Sequence, residues 1–113
     1  KNLRFTGPNS AIVRRIPLYD ATKMTLSFDI ESSNLSSSGK VFVRIAPNGT
    51  DGDWQNIDEL DDSYNAGSSS AVRKEYDITS LVGPDPYIAF HSTGSWIFWK
   101  SFAIDNVFIR CVQ

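Results

Sequence analysis

Residues 23–31 read Lys-Met-Thr-Leu-Ser-Phe-Asp-Ile-Glu, with Met24, Leu26, Phe28 and Ile30 alternating with Thr25, Ser27, Asp29 and Glu31. A period of two sends the apolar set to one face of an extended strand and the polar set to the other. The alternation returns in residues 40–46, where Val41, Val43 and Ile45 point one way and Phe42 and Arg44 the other. In residues 71–78, Val72, Tyr76 and Ile78 share a face that Lys74 interrupts, while Arg73, Glu75 and Asp77 make the second face wholly charged. One side of such a strand lies in water. Residues 87–92 and 101–112 read as further strands, and residues 3–6, 10–17 and 54–60 as weaker ones.

Turn chemistry separates these runs. Gly7-Pro8-Asn9-Ser10, residues 48–53, Gly67-Ser68-Ser69-Ser70 and Gly83-Pro84-Asp85-Pro86 all combine residues that break strands. Helical periodicity is missing from every stretch of ten or more residues, and residues 58–64 have room for one helical turn. About eight short strands spaced by turns predict an all-β fold, an antiparallel two-sheet sandwich of the jelly-roll type.

Composition narrows the function. At 113 residues the chain is expected to be one domain over residues 1–113, and 41% hydrophobic residues suffice for one core. Eleven Lys and Arg against 13 Asp and Glu give a net charge of -2, which argues against nucleic acid or anionic membrane as the partner. Cys111 is the single cysteine, so an internal disulfide is excluded. With one histidine and no adjacent nucleophile, covalent catalysis lacks its residues. Paired acids for glycoside hydrolysis require a defined separation in a cleft, and no pair is singled out. The chain is therefore read as non-enzymatic.

The aromatic residues carry the ligand chemistry. Trp96-Ile97-Phe98-Trp99 follows the Gly94-Ser95 turn, and period two splits it into Trp96 with Phe98 and Ile97 with Trp99. One pair is expected to face outward, where exposed aromatic surface marks a binding site. The face of a sugar ring stacks on an indole while its hydroxyls take hydrogen bonds from polar neighbours. The alternative is a hairpin with cross-strand aromatic packing. Tyr64 in the polar stretch 61–67 is a further ligand candidate, with Asn65 beside it, and Asp61 and Asp62 as solvated acids or polar contacts. His91 is read as a structural residue or a polar contact at the site rim, and Trp54 as a ring closing one end of the core or as a platform.

Leu26-Ser27-Phe28-Asp29, the turn Asp51-Gly52-Asp53-Trp54 and the run Ile104-Asp105-Asn106-Val107-Phe108-Ile109 together resemble extracellular jelly-roll modules related to MAM domains and carbohydrate-binding modules. The paired cysteines of MAM domains are missing. The resemblance implies a secreted or extracellular setting and a module cut from a larger protein. It also implies a structural calcium to which Asp29 and Asp105 contribute, the alternative being that Asp105 accepts backbone hydrogen bonds. The expected function is non-catalytic binding of a polysaccharide or other glycan by a monomeric module that targets a secreted enzyme. The alternative is an adhesion or spacer domain with a protein partner.

Overall fold

In a computed structural model, residues 3–17, 22–35, 38–49, 53–64, 71–94 and 101–112 are described. They form β1 (Leu3–Phe5), β2 (Ala11–Arg15), β3 (Lys23–Asn34), β4 (Lys40–Ala46), β5 (Gln55–Leu60), β6 (Val72–Asp77), β7 (Tyr87–Thr93) and β8 (Ser101–Val112). Single 3-10 turns lie at Asp62–Tyr64 and Thr79–Leu81. The first falls within the 58–64 window, whose opening residues finish β5 instead.

The strands make two four-stranded sheets, ordered β1-β8-β3-β6 and β2-β7-β4-β5, with antiparallel pairing throughout. This is the jelly-roll order: among the described strands β4 and β5 are consecutive within one sheet, and each other consecutive pair lies in opposite sheets. The alternating strands supply the core. Met24, Leu26, Phe28 and Ile30 of β3 meet Val41, Val43 and Ile45 of β4, Ile88 and Phe90 of β7, and Phe102 and Ile104 of β8. Phe28 lies at the centre, edge-on to Phe90 with ring centroids 5.2 Å apart and tilted against Tyr76 at 5.9 Å.

The two long edges of the sandwich differ. At the β5/β6 edge a polar network ties one sheet to the other. Tyr76 donates its hydroxyl to Asp58 Oδ2 at 2.6 Å, Lys74 donates Nζ to Tyr64 Oη at 2.9 Å, and Lys74 Nζ lies 3.6 Å from Asp58 Oδ2. Lys74 therefore keeps the inward face that it seemed to interrupt, because its ammonium is satisfied there. At the other edge β1 covers β8 only from Phe102 to Ile104. A cleft of about 410 Å³ opens there, with Ile12, Ile16, Ile88, Phe90 and Ile109 among its lining.

β8 is not the even strand its sequence suggests. Asp105 opposes Asp29 and Phe108 opposes Ser27, so Asn106 and Val107 together face Phe28 in a bulge, with Asn106 at φ 53°. An extra residue and a left-handed Asn bend the strand locally. Below the bulge Phe108, Arg110 and Val112 turn outward opposite Ser27, Thr25 and Lys23, and Ile109 and Cys111 pack half-buried against the core.

Candidate functional site

The outer face of β2-β7-β4-β5 gathers the side chains best suited to a ligand. Burial of Val41, Val43 and Ile45 sends Phe42 and Arg44 of β4 outward, and burial of Ile88 and Phe90 does the same for Ala89 and His91 of β7. Antiparallel register then aligns Ala11, His91 and Phe42 in one row, and Val13, Ala89 and Arg44 in the next. Asn56 of β5 extends the second row beside Arg44. Trp54, immediately before β5, closes the group. Ala11, Val13, Ala89, Arg44, His91 and Trp54 line a cavity of about 240 Å³.

Arg44 is held from three sides. Its Nε donates to Asn56 Oδ1 at 2.7 Å, its Nη1 lies 3.0 Å from His91 Nδ1, and its Cζ sits 4.5 Å above the Phe42 ring. A guanidinium has only donors, so the imidazole accepts through Nδ1 and carries its proton on Nε2. Burial, then the Arg44 charge, pushes the His91 pKa below its ordinary 6.5, which keeps the ring neutral near pH 7. The face thus combines an indole, a fixed guanidinium, a neutral imidazole N–H and a floor of small apolar residues. Stacking with surrounding hydrogen-bond donors is what a polyhydroxylated ring requires. Among the described residues, the larger cleft at the open edge has Arg14 and Arg15 as donors, but its one aromatic ring, Phe90, is buried in the core.

No family model matches this chain, and no curated protein matches it. Among solved structures, the chain is similar to the C-terminal domain of EclA, described as a sugar-binding protein. The TM-score is 0.56 at 19% identity, covering 97% of this chain and 77% of that one. Likeness at that identity establishes the fold, an all-β sandwich.

The site residues expected from sequence fall in different places. His91 lies in the cavity on the outer face of the β2-β7-β4-β5 sheet. Trp96, Trp99 and Asn65 lie outside the described residues, the two tryptophans in the connection from β7 to β8. Tyr64 is half-buried, packs against the core and accepts from Lys74, so it helps to close the β5/β6 edge. Trp54 lines the cavity rather than an end of the core.

Asp29 and Asp105 come together as register partners on β3 and β8, but protein groups occupy them. Asp29 accepts from Asn106 Nδ2 at 2.8 Å and pairs with Arg73 Nε at 3.2 Å, and Asp105 Oδ1 accepts from the Asn106 backbone N–H at 2.8 Å. Calcium takes six or more oxygens. Among the described residues no three metal-ligating side chains of the His, Cys, Asp or Glu type converge. Asp105 thus makes a backbone hydrogen bond of the kind expected as the alternative to metal ligation.

Arg44 and Asn56 were missed by sequence reasoning as site residues. The outward direction of Arg44 was available from the alternation of residues 40–46. Its meeting with His91 depends on the β4–β7 register, which nothing local encodes.

Proposed function

We propose that this chain is a non-catalytic carbohydrate-binding module whose ligand lies on the outer face of the β2-β7-β4-β5 sheet. Trp54 stacks on a sugar ring, Arg44 and the Nε2–H of His91 donate to its oxygens, and Ala11, Val13 and Ala89 leave room above the sheet. The observation that carries this reading is the cavity that unites an indole with two oriented polar groups. It is supported by the shared fold with a domain described as belonging to a sugar-binding protein. Trp96 and Trp99 remain proposed as a second aromatic element, and a secreted enzyme as the parent.

Retention on a panel of immobilised and soluble polysaccharides tests this. Trp54→Ala is expected to weaken retention roughly tenfold, the loss of about 1.4 kcal/mol, while the melting temperature moves by only a few degrees. Trp96→Ala and Trp99→Ala run beside it. Loss in those variants with Trp54→Ala unaffected moves the site to the β7–β8 connection, and full binding by all three sinks the stacking mechanism.

A protein partner is the second reading, favoured by one observation on the opposite face. Phe108 is 58% exposed and Val112 48%, in a shallow groove shared with Arg73, Glu75 and Arg110. A partner binding there would survive Trp54→Ala and be lost in Phe108→Ser.

A further inference from the structure

We infer that the ligand of the Trp54 cavity is an acidic sugar, a uronate whose ring carboxylate is taken by Arg44. The inference rests on the carbohydrate-binding reading and deepens it. Arg44 is half-buried, yet its partners are a side-chain amide, a neutral imidazole and a phenyl ring, and no carboxylate among the described residues pairs with it. Of the other cations on these four strands, Arg15 lies 3.0 Å from Asp85 and Lys40 3.4 Å from Glu59, while Arg14 is exposed to water. A partly desolvated guanidinium without a counter-charge is costly unless something supplies one.

The bonds that hold Arg44 also prepare it. Asn56 and His91 use two of its five N–H donors and fix the plane of the fork, leaving three free. A planar carboxylate matches two of these at once, with both oxygens engaged. In a uronate the carboxylate projects from the edge of the pyranose ring. A ring stacked on Trp54 therefore carries its charge beside its own plane, and Arg44 lines the same cavity. A neutral hexose supplies only hydroxyls to the same fork and leaves the charge uncompensated.

The probes are de-esterified galacturonan, its fully methyl-esterified form, alginate, dextran and dextran sulfate, titrated against the intact chain. Galacturonan or alginate is expected to bind at least tenfold more tightly than the methyl ester, a gap of about 1.4 kcal/mol. The gap should collapse in about 1 M salt, where charges are screened over only ~3 Å. Arg44→Gln takes a donor from both ligands but a counter-charge only from the acid, so it should bring the two affinities together and abolish the preference. Arg44→Lys keeps the charge but loses the fork, so it should lose most of the preference too. Should both variants unfold, the ester and salt comparisons on the unaltered chain still decide.

Equal affinity for acid and ester overturns the inference while the carbohydrate reading stands. So does binding of dextran alone. Dextran sulfate held as tightly as the uronans overturns the carboxylate assignment. Binding to none of these, nor to a wider neutral panel, overturns the carbohydrate reading itself.

Discussion

His91 and Arg44 share a hydrogen bond that only an uncharged imidazole can accept, and this makes one side chain a titrating element of the fold. Because burial and the Arg44 charge lower its folded pKa, the unfolded chain binds the His91 proton first as pH falls. Stability tied to His91 is therefore complete above its ordinary value of 6.5 and is lost as pH drops from there toward the lowered value. Asp61 and Asp77 act elsewhere on the scale. Hydrogen bonds from Ser63 and Thr79 hold them below 3.8, so their stabilisation is lost only under stronger acid. His91→Gln stays neutral throughout and can still accept from Arg44. Between about pH 7 and pH 5 the unaltered chain should lose melting temperature faster than the variant. Parallel melting curves across that range would show that the imidazole does not carry the effect.

Among elements, the two edges of the sandwich invite a direct comparison. The Tyr76–Asp58–Lys74–Tyr64 network sits where β5 and β6 face each other, and burial followed by the Asp58 hydrogen bond pushes the Tyr76 hydroxyl well up. Asp58→Asn keeps the shape but weakens the acceptor and leaves Lys74 without its counter-charge. A loss of roughly 1–3 kcal/mol in urea unfolding is expected. Glu59→Gln removes the partner of exposed Lys40 one residue away and should change stability by less than about 1 kcal/mol. If the two variants match, the network is surface decoration.

The elements also reveal what a sequence can declare. Residues 23–31 and 40–46 were legible because each alternate position is apolar and each resulting face is buried. The weaker β1, β2 and β5 were legible in position through the turns around them. The bulge at Asn106 was not, although Asp105-Asn106 sets two polar residues in succession, because Val107-Phe108-Ile109 puts apolar residues on both faces and hides the change of parity from Phe102 and Ile104 to Ile109 and Cys111. Lys74 read as an interruption because its partners, Tyr64 and Asp58, arrive from other elements. The candidate site was the least legible part. Residues 44 and 54 flank the β4–β5 connection, but residue 91 comes from far along the chain and only strand order joins it to them. Of the residues singled out for a ligand, His91 and Trp54 fall in that cavity, Tyr64 lies at the β5/β6 edge, and Trp96, Trp99 and Asn65 lie outside the described residues.

For the whole molecule, cohesion comes from a core shared by both sheets and from protein partners for the paired carboxylates. Asp29 and Asp105 are already satisfied by Asn106 and Arg73. Chelator is thus expected to leave the melting temperature unchanged, because an ion bound only to the native state would otherwise stabilise by mass action. A drop of several degrees restored by calcium would contradict this and return the two aspartates to metal ligation.

The position of β8 between β1 and β3 has a consequence during protein synthesis. From Asn34, the end of β3, to Val112, the end of β8, the ribosome must add 78 more residues. At roughly 5–20 residues per second that takes on the order of 4–16 s. Through that interval β1 has no neighbour in its sheet, and β3 keeps one edge and its row of Met24, Leu26, Phe28 and Ile30 short of their partners. An unpaired apolar strand is the kind of segment that chaperones hold and that neighbouring nascent chains can capture. A stop codon shortly before residue 101 would make that transient state permanent, leaving a chain that retains β1 to β7 yet cannot close its first sheet.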